Sequence, residues 1–169
     1  MKEKILILSG GVSKERLISL DTGYQVAKEL KKNGYRVKIS EPDKLIENIN
    51  QFKPKTIFNA LHGEFGEDGG INAFAYVNKI AITHSGAISS ALCFNKRLLK
   101  NYLKGKLNIL SPREILNTKF IKFPVISKPN WGGSSKGIKF INNEKTLKKN
   151  MNNDQILIEE IILGKELTV

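Results

Sequence analysis

The sequence predicts an α/β protein in which an open parallel sheet is followed by a smaller α+β lobe. The first observation is an apolar run at residues 5–8 that ends on two glycines and precedes apolar residues at helical spacing. The second is that strand-like runs then alternate with helical stretches, the order of a parallel sheet; these runs lie at residues 37–39, 56–61 and 80–83. The third is a Gly/Ser loop flanked by runs at 124–128 and 137–141, which predicts an antiparallel hairpin.

Helical spacing and stop signals fix the remaining elements. The first helix is predicted from a three- and four-residue recurrence that ends at Asn33-Gly34; its members are Leu17, Leu20, Tyr24, Ala27 and Leu30. Further helices are predicted at residues 45–49, 71–78, 87–103 (two helices meeting near Asn95) and 144–151. Short strands are predicted at residues 107–110 and 155–162.

Composition excludes several classes of protein. The chain has 169 residues, of which 40% are apolar and 26% charged, so it can bury a core and is not a disordered tail. No apolar run approaches the roughly 20 residues of a membrane span, and the N-terminus has no secretory signal pattern. Cys93 is the single cysteine and cannot form an internal disulfide, which favours a reducing, cytoplasmic location without a membrane partner.

The net charge of +12 does not by itself indicate a nucleic-acid partner. Lysine accounts for 24 of the 28 basic residues, and these lysines are spread along the chain. Nucleic-acid binders usually cluster their basic residues and add arginine or aromatic side chains that read or stack on bases. We therefore interpret the charge mainly as a solvated surface with some attraction for anionic substrates, and predict no nucleic-acid partner.

Neither of two common phosphate-binding patterns, G-x-G-x-x-G and G-x-x-x-x-G-K-[ST], occurs, but two glycine-rich turns follow predicted parallel strands. Gly10-Gly11 precedes Glu15, whose carboxylate can hold an ammonium group or simply favour a helix start. The second turn spans residues 62–70 and contains His62, three acids and four glycines; it is either part of a site or a surface loop.

A third glycine-rich turn is either a plain hairpin turn or a phosphate site, and the lysines on both sides of it favour the phosphate site. It runs from Lys128 to Gly137 and contains two adjacent glycines, two serines and a second lysine, Lys136. Glycines let backbone N–H groups converge on phosphate oxygens, while hydroxyl groups add donors and lysine adds a point charge. A hairpin loop of this kind can close over a nucleotide as a lid.

Taken together, these turns resemble a known family, the D-alanine–D-alanine ligases of the ATP-grasp superfamily. The resemblance runs from residue 4 to residue 169 and consists of motifs in a fixed order. They are Gly10-Gly11-Val12-Ser13-Lys14-Glu15-Arg16-Leu17-Ile18-Ser19-Leu20, Asn59-Ala60-Leu61-His62-Gly63, Gly66-Glu67-Asp68-Gly69, Thr83-His84-Ser85-Gly86, Ser90-Ala91-Leu92 with Lys96, Lys128-Pro129, Gly133-Ser134-Ser135-Lys136-Gly137, Ile158-Glu159-Glu160 and Gly164-Lys165-Glu166-Leu167-Thr168-Val169.

The resemblance implies a fold and three regions. The fold is an N-terminal open parallel α/β sheet (pre-ATP-grasp) followed by the α+β central lobe of an ATP-grasp fold. Residues 1–92 would form the substrate-binding domain, residues 93–157 the central lobe with its phosphate loop, and residues 158–169 the first strand of a C-terminal lobe. A dimer is the usual assembly of the family.

The resemblance also implies roles for individual residues. Glu15 would bind the ammonium of the first D-alanine, Ser134 would hydrogen-bond to Glu15 and help close the loop, and His62 would line the D-alanine pocket. For the phosphates of ATP, the resemblance implies Lys96 and Lys128 with the backbone of Gly133, Ser134 and Ser135. For adenine it implies Glu159 with the backbone of Glu160, Ile161 and Ile162. Glu166 would bind the ribose. ATP would phosphorylate the first D-alanine, and the amine of the second would attack the acylphosphate.

Some expected features are missing from the chain. Gly132 stands where family members often carry an acid, and Lys136 where they often carry a small apolar residue. The ligands for Mg²⁺ (or Mn²⁺) and an oxyanion arginine would lie beyond residue 169, so we expect a C-terminally truncated chain that does not complete the reaction. The alternatives are a D-alanine–D-lactate, D-serine or other ATP-grasp carboxylate–amine ligase, and a non-catalytic ATP-binding fragment.

Overall fold

The computed structural model describes residues 2–151, 153–165 and 167 of the chain. The chain divides into two compact units, Met1–Cys93 and Phe94–Val169. The predicted fold class is confirmed, since the first unit holds a parallel sheet with helices and the second a smaller antiparallel sheet. Within the described residues, no helix is both long and apolar enough to span a membrane.

The first unit contains a four-stranded parallel sheet. Its strands are β1 (Lys4–Leu8), β2 (Arg36–Ser40), β3 (Thr56–Asn59) and β4 (Ala81–Ile82), in the order β2-β1-β3-β4. The helices of this part of the chain are α1 (Arg16–Lys32), α2 (Leu45–Phe52), α3 (Gly70–Val77) and α4 (Ala87–Phe94), with a 3₁₀ turn at Pro42–Lys44. All three strand pairs are parallel, so the loops that follow the strands leave the sheet at the same edge.

The central strand β1 is covered on both faces, because Leu6, Ile7 and Leu8 are fully buried. The hydrophobic core around it consists of Leu6, Leu8, Leu45, Ile57, Leu61, Ile71 and Ala75.

Helix α1 lies where the sequence predicts a helix, but it buries a different face. Leu17 and Tyr24 are 79% and 61% exposed, whereas the buried residues are Ser19, Gly23 and Ala27. The physical reason is a close approach of the helix to the end of β1. A Cβ at Gly23 would lie 2.6 Å from the Cβ of Ser9, so only small residues fit on this side of the helix.

The second unit is built on a three-stranded antiparallel sheet. Strand β5 (Val125–Pro129) lies between β6 (Lys139–Ile141) and β7 (Ile156–Glu160), and the predicted hairpin is confirmed. Helix α6 (Glu144–Asn150) places Leu147 against one face of the sheet; the buried cluster there is Ile115, Val125, Ile141, Leu147 and Ile158. Helix α5 (Lys96–Tyr102) and a π-helical turn at Leu103–Leu107 precede the sheet in sequence.

Two predicted strands in this unit differ from the structure. The strand predicted at residues 107–110 is wrong, because Asn108 has a left-handed φ of 51° that ends the π-helical turn. Strand β7 ends at Glu160 instead of residue 162. The predicted domain boundary between residues 157 and 158 falls inside this strand, whose register with β5 runs from Ile156 to Glu160. The division into three regions stays a prediction.

Candidate functional site

The loop after β1 is built on a buried serine. The Oγ of Ser19 accepts a hydrogen bond from the backbone N–H of Gly10 at 2.8 Å and donates one to the carbonyl of Ala60 at 2.7 Å. It therefore ties this loop to the segment that follows β3. Gly10 has a φ of +88°, a backbone conformation that residues with a side chain rarely adopt, so the turn favours glycine.

Glu15 stands at the start of α1 and is half-buried. Its backbone N–H donates to Ser13 Oγ at 3.1 Å, and its carbonyl accepts from the N–H of Ser19 at 3.0 Å. The next residue, Arg16, forms an ion pair with Glu41 at 2.6 Å on the exposed side of the loop. The helix start thus places one carboxylate at the loop edge of the sheet, the side where parallel sheets bind ligands.

The acids of the loop at residues 62–70 hold the loop itself together. The carboxylate of Asp68 accepts from the backbone N–H groups of Phe65 and Gly70, both at 2.8 Å. Glu67 accepts from the N–H of Gly63 at 2.8 Å. Two of the three acids in this loop therefore have a structural role that spacing alone could not reveal.

His62 begins this loop and has one ring nitrogen near a carboxylate and one that is buried. Its Nδ1 lies 3.6 Å from a carboxylate oxygen of Glu67, while its Nε2 is buried and has no hydrogen-bond partner among the described residues. A Cβ at Gly63 would lie 3.2 Å from Ser13 Oγ, so the first two glycine-rich loops are in close contact. The structure thus brings the chain segments of Glu15 and His62 to the same edge of the sheet.

The third glycine-rich loop joins β5 to β6 and is fixed to the start of α5 by Asn130. This residue is 4% exposed; its carbonyl accepts from the N–H of Lys96 and its side-chain oxygen from the N–H of Arg97, both at 2.9 Å. The ammonium of Lys96 in turn donates to the carbonyl of Gly132 at 2.5 Å. The helix start and the loop therefore form one local structure.

The tip of this loop has unusual backbone conformations. Ser134 and Ser135 both have a φ of 54°, in the left-handed region. Gly137, where the chain turns into β6, has a φ of +79°, and a Cβ there would lie 2.8 Å from the ring of Pro129. Nothing lies within 4 Å of a Cβ placed at Gly133, so this predicted phosphate-binding position is open.

A buried carboxylate on β7 lies between two lysines. Glu159 is 1% exposed; its Oε1 contacts the ammonium of Lys100 on α5, and its Oε2 contacts the ammonium of Lys128 on β5. The pKa of Lys96 is lowered, mainly by burial and then by the positive charge of Lys128, while Glu159 acts in the opposite direction. Three ammonium groups thus act around one carboxylate, and the cluster carries more positive than negative charge.

The charged cluster lies beside an apolar surface on the same face of the sheet. Ile126 is in register with Phe140 on one side and Glu159 on the other, and directly paired residues of antiparallel strands point to the same face. Phe140 is 64% exposed. An apolar side chain beside a cluster of cations suits a ligand that combines a flat ring with an anionic group.

A pocket of about 700 Å³ lies in the second unit at the end of β7. Glu160 and Ile161, two of the positions predicted to read adenine, help to line it; the aromatic residues around them are Phe120, Phe123 and Phe140. The carboxylate of Glu160 also accepts from the backbone N–H of Arg113 at 2.8 Å. Ile162 follows and is 65% exposed.

The predicted site residues thus fall into two groups. Lys96, Lys128 and Glu159 come together in the second unit, with Gly133, Ser134 and Ser135 in the loop beside them. Glu15 and His62 belong to the first unit, and the predicted contact between Glu15 and Ser134 stays a prediction. Glu166 lies outside the described residues.

Lys100, Ile126 and Phe140 were not predicted from the sequence. Lys100 stands four residues after Lys96, which places both lysines on one face of α5 and is the signal that could have revealed it. Ile126 and Phe140 alternate with the core residues Val125 and Ile141, so apolar residues at consecutive strand positions were the signal that the second face of the sheet is also apolar.

Three comparisons with known proteins agree with this geometry. A family model described as the C-terminus of D-ala D-ala ligase matches residues 109–169. A D-alanine–D-alanine ligase of Pelagibacter ubique is 50% identical over 190 aligned positions, which include 100% of this chain and 61% of that protein. The crystal structure of the D-alanine–D-alanine ligase from Bacillus anthracis superposes with a TM-score of 0.78 at 30% identity, covering 96% of this chain and 58% of that one.

A second structure of the Bacillus anthracis ligase is described as a complex with ATP. It superposes with a TM-score of 0.77 at 28% identity and covers 96% of this chain. The chain spans about three fifths of the length of the relatives it matches. With the motifs of both units in the expected order, the chain is similar over its whole length to D-alanine–D-alanine ligases.

Proposed function

We propose that this chain carries the ATP-binding residues and the first-substrate residues of a ligase that joins two D-alanine molecules. The products of the proposed reaction are D-alanyl-D-alanine, ADP and phosphate. The similarity of the whole chain to D-alanine–D-alanine ligases supports this proposal, and the names of the relatives give D-alanine as the substrate of those proteins. The dipeptide would serve as a peptidoglycan precursor for the bacterial cell wall.

The observation that carries the proposal is the excess of positive charge beside the open glycine-rich loop. Burial and, after it, the charge of Lys128 lower the pKa of Lys96, and a bound polyanion would offset the repulsion between the two ammonium groups. The loop beside them adds open backbone at Gly133. A nucleotide triphosphate provides both the negative charge that this cluster lacks and a ring for the apolar surface of Ile126 and Phe140.

The remaining roles follow from the chemistry of each group. The carboxylate of Glu15 would hold the ammonium of the first D-alanine, and His62 would offer its buried Nε2 to the same substrate. Transfer of the γ-phosphoryl group to the D-alanine carboxylate would give an acylphosphate, which the amine of the second D-alanine attacks with release of phosphate. Ammonium groups and backbone N–H groups stabilise the negative charge that develops in both steps.

Magnesium has no ligand set in the described part of the chain. No three acidic, histidine or cysteine side chains among those residues lie close enough together to hold a metal ion. When bound to a triphosphate, Mg²⁺ would neutralise charge on the transferred group. No residue described here is assigned to it.

Two features implied by the resemblance also remain proposals. A cytoplasmic location suits an enzyme that consumes ATP, and a homodimer is the assembly implied for the family. The assembly can be measured directly by sedimentation of the purified chain.

The test begins with ATP binding to the 169-residue chain, measured by calorimetry. Lys128→Ala removes a charge-assisted contact of about 1.5–3 kcal/mol and should weaken binding roughly 10- to 150-fold. Lys139→Ala is the matched control, because Lys139 is an exposed lysine on the neighbouring strand that is in register with Ser127 and not with Lys128. Equal affinities of wild type and Lys128→Ala would refute the proposed nucleotide site.

The second part of the test concerns D-alanine. Glu15→Gln keeps the shape of the side chain and removes its charge, so D-alanine-dependent ADP release by the native polypeptide should be lost while ATP binding stays unchanged. Glu29→Gln, an exposed carboxylate on the same helix, is the control. Near-normal ADP release by the Glu15→Gln variant would exclude the substrate role of Glu15.

A further inference from the structure

The buried carboxylate of Glu159 has two lysine partners that differ in their surroundings. Lys100 contacts Oε1 of Glu159 and also donates to the backbone carbonyl of Pro112 at 2.6 Å. Its side chain is 16% exposed, compared with 24% for Lys128. Lys100 is therefore anchored by a second acceptor that does not depend on any ligand.

Lys128 occupies the side of Glu159 that faces the phosphate loop. Its ammonium acts on that of Lys96, which donates to the carbonyl of Gly132 in that loop; after burial, the charge of Lys128 is the second cause of the lowered pKa of Lys96. A triphosphate bound there would attract both Lys96 and Lys128. Glu159 would then lose part of its pairing with Lys128, and a buried carboxylate with no other partner would be strongly destabilised.

We propose that Lys100 is a positioning residue for Glu159, keeping this carboxylate paired and oriented toward the nucleotide base while Lys128 turns to the phosphates. The inference rests on the proposed ATP site and adds to it a residue that acts only through Glu159. A carboxylate oxygen held in this way accepts a hydrogen bond from the exocyclic amino group of adenine. It repels the carbonyl oxygen that hypoxanthine carries at the same ring position.

The test compares ATP with inosine triphosphate, which differs from ATP at that ring position. Dissociation constants of both nucleotides, and of inorganic tripolyphosphate, are measured by calorimetry for the 169-residue chain. In wild type we expect ATP to bind at least tenfold more tightly than inosine triphosphate. Lys100→Met should bring this ratio close to one and leave tripolyphosphate affinity unchanged within about twofold.

Two further variants separate positioning from a general loss of charge or of fold. Lys100→Arg keeps a cation that can reach both acceptors. The logarithm of its ratio of ATP to inosine triphosphate affinity should therefore be at least half of the wild-type value. Lys104→Met removes an exposed lysine that follows α5 and should leave the preference at its wild-type value. Circular dichroism and thermal unfolding verify that each variant is folded.

A double substitution keeps the inference testable if Lys100→Met alone does not fold. Glu159→Gln and the pair Lys100→Met/Glu159→Gln should show the same ratio of ATP to inosine triphosphate affinity, because Lys100 acts through the carboxylate. A further drop of the ratio in the double variant overturns the inference, as does an unchanged preference in Lys100→Met or no preference in wild type. If wild type binds neither ATP nor tripolyphosphate, the proposed function itself fails.

Discussion

The two units use their polar side chains in different ways. In the first unit, most polar groups near the predicted site bind the backbone: Ser19 joins two loops, and Asp68 and Glu67 fix the loop at residues 62–70. In the second unit, the polar groups near the predicted site are charged and interact with each other, with the ammonium groups of Lys96, Lys100 and Lys128 around the carboxylate of Glu159. The first unit thus provides shape, and the second provides an unbalanced charge.

This difference predicts where substitutions act. Loops held by backbone hydrogen bonds are part of the folded structure, so changes there should lower the free energy of unfolding. A cluster with excess positive charge is fully paired only when an anion is bound. Changes there should therefore lower the affinity for ATP more than the free energy of unfolding. Variants in the two units therefore test the contrast through two quantities, the free energy of unfolding and the affinity for ATP.

The largest effect is expected from Gly23→Ala in the first unit. The added methyl would lie 2.6 Å from Ser9 Cβ, and this side of α1 has no room to relax because Ser9 and Ser19 are fully buried. Overpacking of this kind costs about 1–3 kcal/mol. Urea unfolding should show this loss, while the affinity for ATP of the folded variant stays near the wild-type value.

Gly105→Ala is the matched control for this experiment. No atom lies within 4 Å of a Cβ at Gly105, which belongs to the π-helical turn. Replacing a glycine at such a position is neutral or stabilises by up to about 1 kcal/mol. Similar free energies of unfolding for the two variants would show that α1 and β1 are less closely packed than the structure indicates.

The sequence predicted most of this architecture because the parallel strands have clear signals. The run at residues 5–8 and the glycines after it locate β1, and the alternation of strands and helices predicts the sheet. The buried face of α1 was missed because Ser19 and Gly23 do not count as apolar. The strand at residues 107–110 was wrongly predicted because Ile109 and Leu110 are apolar yet 47% and 94% exposed.

The candidate site was less predictable than the fold. Its motifs locate Lys96, Lys128 and Glu159, but the contact of Lys100 with Glu159 joins residues 59 positions apart in sequence and depends on how α5 packs against β7. The acids of the loop at residues 62–70 show a second reason, because their residue type suggested a site whereas most of them support the loop. A spacing pattern cannot tell a carboxylate that binds a ligand from one that accepts backbone N–H groups, as Asp68 does.

A smaller effect is expected from Gly137→Ala in the loop between β5 and β6. The residue has a φ of +79°, and the new methyl would lie 2.8 Å from the ring of Pro129, so we expect a loss of about 1–2 kcal/mol in stability. Gly133→Ala is the partner variant, since a Cβ there has no neighbour within 4 Å. It should unfold like wild type in urea, but its methyl group would obstruct the backbone proposed to receive phosphate.

The pair is informative because it separates the two roles of one loop. If the loop is a phosphate site, Gly133→Ala weakens ATP binding without loss of stability, and Gly137→Ala lowers both quantities. Unchanged ATP affinity in a folded Gly133→Ala variant would show that the loop is only a hairpin connection. The contrast between the units would then rest on the lysines alone.

The smallest effect is a pH dependence that originates from Lys96. Its pKa is lowered from 10.5 in the ligand-free chain by burial and by the charge of Lys128, whereas Glu159 opposes the change. A bound triphosphate favours the protonated ammonium of Lys96, so ATP affinity should fall as the pH rises through the lowered pKa. The fall is at most about tenfold per pH unit, because ATP binding is linked to a single proton on Lys96. The unfolded chain binds this proton more tightly than the folded chain, so the free energy of unfolding should rise over the same interval.

Lys96→Arg separates this titration from all others in the chain. The guanidinium stays protonated over the whole pH range, so the variant should keep its ATP affinity at the pH values where wild type loses it. The measurements should start above about pH 8, because the phosphates of ATP titrate near pH 6 and are fully ionised there. Lys139→Arg, on the exposed strand β6, is the control and should follow wild type. Parallel loss of affinity in wild type and Lys96→Arg would place the titrating group elsewhere. The charge cluster of the second unit would then resemble the first unit, with polar groups that mainly support the fold.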